Sequence, residues 1–201
     1  MKIFAKKFLL AGLAALCVGV ASPMFTTPVE ASMKLESSEY WVRVEFDALP
    51  QTAAEVAPCQ TPEETAALTV AALVRFTEDQ EAGIAMLNVL RGSWRPLSAQ
   101  EIQLLKDQLL KDRDYVARSH FNGATPENNY TPLQPYSVTV SDNPNSYMTE
   151  GYATLYIRSG GADSPRPITL RKKPSTGEWF LWNHVGLLPG IRIPASQDPW
   201  R

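Results

Sequence analysis

Across Ser119–Pro135 (SHFNGATPENNYTPLQP) the hydrophobic period of this chain changes from helical to alternating. No single regular element runs through such a change, so a helical half must join a β half here. The segment holds three prolines, an Asn-Gly pair, a second Asn pair and one of the chain's two histidines. Glycine and asparagine tolerate left-handed backbone, and asparagine amides satisfy nearby peptide groups, so its chemistry is first that of a long turn. The competing reading is a binding edge on a rigid scaffold, formed by Asn122, Asn128, Asn129 and Tyr130. Asn129-Tyr130-Thr131 is also an acceptor pattern for glycosylation if the source is eukaryotic.

The helical half is well punctuated. Thr61-Pro62-Glu63-Glu64 combines a capping threonine, a first-turn proline and a glutamate three residues on, which predicts a helix from Thr61 to about Phe76. Its apolar residues spread around more than one side, which implies burial between two layers. Thr77 is expected to cap a second helix bearing Ile84, Leu87 and Leu90, with Gly92 just past its end. Ser98-Ala99-Gln100-Glu101 is a further capping box, opening a third helix with Ile102, Leu105 and Leu109 on one stripe. Paired acids at the helix starts complement the helix dipole and need no catalytic reading.

On the β side, Tyr136–Ser141, Gly151–Arg158, Ile168–Lys173 and Glu178–His184 read as strands, separated by turn-rich stretches. Tyr40–Phe46 alternates in the same way ahead of the helices. The expected fold is therefore α+β, with three N-terminal helices packed on an antiparallel β-meander. The domain assignment is a leader at 1–31, an N-terminal strand and linker at 32–60, and a single α+β domain at 61–201.

Lys2, Lys6 and Lys7 precede an apolar run, Phe8–Val20, and Val29-Glu30-Ala31 supplies small residues for cleavage before Ser32. This is a secretory signal pattern, with cleavage after Ala21 as the weaker alternative, and it implies a secreted or periplasmic protein. Leu16 before Cys17 stands where a lipidation signal needs a small residue, which argues against a lipoprotein. Loss of the leader leaves Cys59 as the only cysteine, so no intrachain disulfide forms. The formal charge is −2 before cleavage. Loss of three lysines against one glutamate makes the mature chain more acidic still, which excludes nucleic acid and anionic membrane as natural partners.

No G-x-S-x-G, S-x-x-K, H-E-x-x-H, C-x-x-C, P-loop or G-x-G-x-x-G occurs. With His120 and His184 the only imidazoles, no catalytic residue, cofactor or metal is assigned. An oxygen-ligand calcium site in the Asn/Asp-rich loops is the one metal chemistry left open. The stronger signal is an asymmetric strand. Ala153, Leu155 and Ile157 make an aliphatic side, and Tyr152, Thr154 and Tyr156 an amphipathic one. If the aliphatic side faces the helices, the other presents Tyr152, Tyr156, Thr169 and Arg171, joined by Trp179 or by Phe180 and Trp182 according to register. Tyrosine, tryptophan and arginine on one face suit a small-molecule, glycan or protein partner. The opposing reading is that the N-terminal strand or the C-terminal tail covers this face. Candidate ligand-binding residues are Tyr152, Tyr156, Arg171, Trp182, Asn122, Tyr130 and His120. The run Arg171-Lys172-Lys173 reads as a solvated hairpin edge.

The strings FNGATPENNYTP (121–132), RSGGADSPRP (158–167) and WFLW (179–182) together resemble a family of secreted bacterial domains of unknown function, over about residues 62–200. The resemblance implies a bacterial source and carries no activity or catalytic residue. The order of helices before a meander is also similar to nuclear-transport-factor-2-like and cystatin-like cones, which would imply a ligand pocket between helices and curved sheet. The expected function is a secreted, non-catalytic binding or interaction module. A hydrolase or isomerase with its pocket between helices and sheet is the alternative.

Overall fold

A computed structural model describes residues 33–37 and 41–200. The signal-peptide reading falls on residues 1–31, outside the described residues. Six strands, β1 (Met33–Ser37), β2 (Trp41–Phe46), β3 (Ser137–Ser141), β4 (Tyr152–Ile157), β5 (Arg166–Lys172) and β6 (Trp179–Asn183), form one sheet. Their order is β1-β2-β3-β4-β5-β6, each pair of neighbours antiparallel. Helices α1 (Pro62–Glu78), α2 (Gln80–Arg91), α3 (Ala99–Leu109) and α4 (Tyr115–Arg118) all lie in the connection between the paired strands β2 and β3. The fold is thus α+β, with helices on one face of an antiparallel meander. None of the helices among the described residues is long and apolar enough to cross a membrane.

The breadth of apolar surface on α1 is explained by its position. It touches β2 through β6 on one side and α2 and α4 on another. Every residue from Thr65 to Val74 is buried. The two threonines in that run are satisfied: Thr65 Oγ1 donates to the Trp179 carbonyl at 3.0 Å and Thr69 Oγ1 to the Thr65 carbonyl at 2.9 Å. Phe46, Leu155, Ile168 and Leu181 meet this helix layer from the sheet, with Val138 and Val140 beside them. The space between helices and sheet is filled by buried side chains.

One helix boundary differs from the sequence expectation. Thr77 does not cap α2; it stays inside α1 and donates to the Val74 carbonyl at 2.7 Å. Asp79 is the cap, accepting from Ala82 N at 3.1 Å, while Arg75 reaches Glu78 and Asp79 at 3.2 and 3.3 Å. A carboxylate accepts this bond more strongly than a hydroxyl and also complements the helix dipole. By contrast the Ser98/Glu101 capping box forms as expected. The short helix α4 and the edge strand β1 carry too little periodicity to have been expected.

The long turn Ser119–Pro135 is built as a self-satisfied structure. Asn128 accepts from Thr125 N and Thr131 N at 2.9 and 3.2 Å and donates to the Gly123 and Thr131 carbonyls at 2.8 and 3.0 Å. The strings of the family resemblance also pack on one another. A Cβ on Gly160 would lie 1.8 Å from the Ala124 carbonyl oxygen, and one on Gly161 would lie 2.1 Å from the Tyr130 hydroxyl. The C-terminal tail completes this block. Tyr130 donates to the Arg192 carbonyl at 2.6 Å, Arg192 N to the Gly161 carbonyl at 2.9 Å, and Arg166 to the Gly190 carbonyl at 2.8 Å. The tail is therefore tied to the turn and to the start of β5, and β1 extends the sheet edge to edge.

Candidate binding site

The far face of β4–β6 is organised around Trp182. Tyr152 pairs with Arg171 and Arg171 with Phe180, so all three project from the same side of the sheet. A register shift between Thr169 and Leu170 leaves Trp182 as the extra residue on β6. This settles the register: Trp179 faces the core at 8% exposure, and Phe180 and Trp182 join the open face.

A loop from the helix layer reaches round to the same face. After α2, Gly92 turns the chain with φ +80, and a Cβ there would lie 2.7 Å from Trp94 Nε1 and 3.1 Å from the Phe180 ring. Both the left-handed backbone and the close approach require glycine. Trp94 then stacks on Trp182, with ring centroids 5.9 Å apart and planes at 29°. Tyr152 meets Trp182 edge-on at 5.4 Å. Arg95 lies 4.2 Å from the Trp182 ring centroid and donates to its carbonyl. Arg171 lies over three rings, 5.0 Å from Trp182, 5.5 Å from Tyr152 and 5.6 Å from Trp94. Each such contact contributes on the order of 0.5–1.5 kcal/mol, so together they hold the side chains in place.

The loop is anchored from beneath. Arg91 is 1% exposed, pairs with Glu101 at 2.8 Å and donates to the Arg95 carbonyl at 2.9 Å. Glu101 also closes the α3 capping box, accepting from Ser98 N at 2.9 Å. Burial pushes the Glu101 carboxyl up, but the Ser98 hydrogen bonds and the Arg91 charge outweigh it and hold the group below the usual carboxylate range. His184, next after β6, is buried beside this pair, and desolvation lowers it to about 4.

Gly92→Ala is expected to cost roughly 2 kcal/mol, from the left-handed conformation and the contacts with Trp94 and Phe180. It should also free Trp94 from the sheet. Urea unfolding measures the first effect and acrylamide quenching of tryptophan fluorescence the second.

Two grooves flank the cluster. One of about 310 Å³ is lined by Asn145, Ser146, Thr149, Tyr152, Thr154, Thr169, Trp182 and Asn183. The other, about 370 Å³, is lined by Trp94, Arg171, Lys172, Lys173, Pro174 and Phe180. A larger groove of about 550 Å³ lies elsewhere, by Cys59, with Glu55, Glu64 and Glu178 on its walls. It offers no aromatic platform, and the Cys59 thiol is directed to the Ala57 carbonyl at 3.4 Å. Among the described residues no group of three or more His, Cys, Asp or Glu is placed to hold a metal ion.

Of the candidates read from sequence, Tyr152, Arg171 and Trp182 come together here. Tyr156 is on the same face, four pairs along β4 opposite Pro167, roughly 13 Å from Tyr152 at strand rise. Asn122 lies nearer β3, its amide held by Ser137 Oγ and Thr139 Oγ1 at 3.0 Å each. Tyr130 is fully buried and stacked on Tyr115, centroids 5.4 Å apart. His120 is also interior, at 1% exposure. Its Nε2 lies 2.9 Å from the Leu187 carbonyl and must be the donor, since a carbonyl only accepts. Those two belong to the packing under the turn and not to the open face. Trp94 and Arg95 were missed; a tryptophan in the polar Gly-Ser-Trp-Arg-Pro loop, outside any apolar stripe, was the available signal.

The architecture is that of an α+β domain with an aromatic and cationic platform on the helix-free face of its sheet. The chain belongs to the family described as domain of unknown function DUF6935, whose model matches residues 45–195. No curated protein and no solved structure matches it.

Proposed function

We propose that this chain is an extracytoplasmic, non-catalytic binding module that holds its ligand on the open face of β4–β6. The observation that carries the reading is Trp94, 52% exposed yet fixed by stacking on Trp182. A pre-ordered indole loses little conformational entropy when a ligand ring or chain covers it, which is how aromatic residues come to dominate binding energy. The basic n-region and apolar run at Lys2–Val20 support export. Against catalysis stands the burial of the two histidines, at 1% and 2% exposure, with His120 Nε2 committed to the Leu187 carbonyl.

Glycan-array and metabolite thermal-shift screens of wild type against Trp94→Ala test the proposal. Because Trp94 is half exposed on a loop, the variant should fold normally and bind any hit at least about tenfold more weakly. Hits bound equally by both proteins would remove the site from this face.

A further inference from the structure

Resting on that reading, we infer that the ligand is an acidic polysaccharide, with Arg171 taking a sugar carboxylate while the ring lies against Trp94 and Trp182. Arg171 is exposed and, among the described residues, makes no ion pair and no side-chain hydrogen bond. Arg95 is different, since its guanidinium is committed to the Trp182 carbonyl. A guanidinium that touches only aromatic rings keeps its N–H fork unspent, and that fork matches a carboxylate in two parallel bonds. The groove on that side adds Lys172 and Lys173 and has none of the acidic side chains on its wall. The charge that complements it is negative, despite the acidic balance of the chain as a whole.

The other groove specifies what carries the charge. Its walls bear no ionised group, only hydroxyls, amides and the Tyr152 and Trp182 rings. Asn183 uses its carbonyl on Val185 N at 3.0 Å, which leaves its NH₂ to donate outward. Thr154 and Thr169 hydroxyls lie 3.4 Å apart across the strand pair. Such groups both give and accept hydrogen bonds, as sugar hydroxyls do, beside a ring surface that suits the apolar face of a pyranose. An extended acidic peptide fits less well, because β5 is paired on both sides and offers no free backbone ladder. A uronate polymer joins carboxylate, hydroxyls and ring face in each residue.

The experiment measures binding of the leader-free full chain to polygalacturonate, alginate and hyaluronate. Fully methyl-esterified polygalacturonate, neutral dextran and poly-L-glutamate are run beside them, at low and high salt. At least one uronate polymer should bind, with affinity falling as salt rises. Arg171→Gln should weaken that binding about tenfold and weaken any binding of the ester by clearly less, while Arg171→Lys should restore only part, because an ammonium lacks the fork. Equal affinity for acid and ester, or an unaffected Arg171→Gln, overturns the acidic-ligand inference but leaves the binding reading standing. Preference for poly-L-glutamate overturns it in favour of an acidic peptide. Failure of all three uronate polymers overturns it outright, and the binding reading falls with it only if the wider screens also return no ligand lost in Trp94→Ala.

Discussion

Acidification from about pH 7 to about pH 4 is expected to remove roughly 6 kcal/mol of folding stability, through two buried imidazoles. Burial lowers both His120 and His184 to about 4 from an ordinary value of 6.5. For His120 the Leu187 and Arg158 carbonyls push the other way and Arg166 adds to the lowering; for His184 the Arg91 charge adds to it. Below 6.5 the unfolded chain takes up protons that the folded chain refuses. Stability is therefore full above that value, falls as pH drops through the window, and levels off below 4. Each site contributes about 3 kcal/mol at this shift. Urea midpoints across the window measure the slope, which should approach two protons near pH 5. His120→Gln and His184→Gln should each remove about half of it. A flat profile would mean that water reaches both rings.

Glu101→Ala is expected to destabilise the protein by about 3 kcal/mol, the low end of the range for breaking a buried ion pair. Arg91 is 1% exposed but Glu101 is 28% exposed, so water screens part of the lost attraction. The same substitution removes the α3 capping box, itself about 1 kcal/mol. The damage should extend to the proposed binding face, because Arg91 holds the Arg95 carbonyl and Arg95 the Trp182 carbonyl. Replacing both Arg91 and Glu101 by leucine should recover much of the stability, since the desolvated charge goes with its partner. Urea unfolding of the two single variants and the double variant gives the coupling. A Glu101→Ala cost under about 0.5 kcal/mol would show that Arg91 finds another partner and that the loop is held otherwise.

What could be read from sequence was whatever short-range chemistry decides. Ser98 and Glu101 are three residues apart, and their capping box formed as read. The alternation of Tyr152, Thr154 and Tyr156 against Ala153, Leu155 and Ile157 separated core side from open side correctly. The sequence leaves the register across β5 and β6 open between Trp179 and Phe180/Trp182, because alternation alone does not say where pairing shifts by one residue. Tyr130 and His120 looked available because their neighbours are polar. Their burial depends on Arg192 and Leu187, over sixty residues downstream. Trp94 was overlooked for the same reason, since its partner Trp182 is brought to it only by the packing of α2 against β6. Thr77 and Asp79 were both adequate caps, and the choice fell to Arg75 and the two acids around it.

The proposed contact of ligand with Trp94 and Trp182 is directly measurable through the five tryptophans. Indole N–H resonances are to be assigned by substitution and followed during titration with an oligogalacturonate. Trp94 and Trp182 should shift together along one binding curve, while Trp41, Trp179 and Trp200 stay in place. Saturable shifts confined to Trp41 or Trp200, with Trp94 and Trp182 unmoved, would contradict the account.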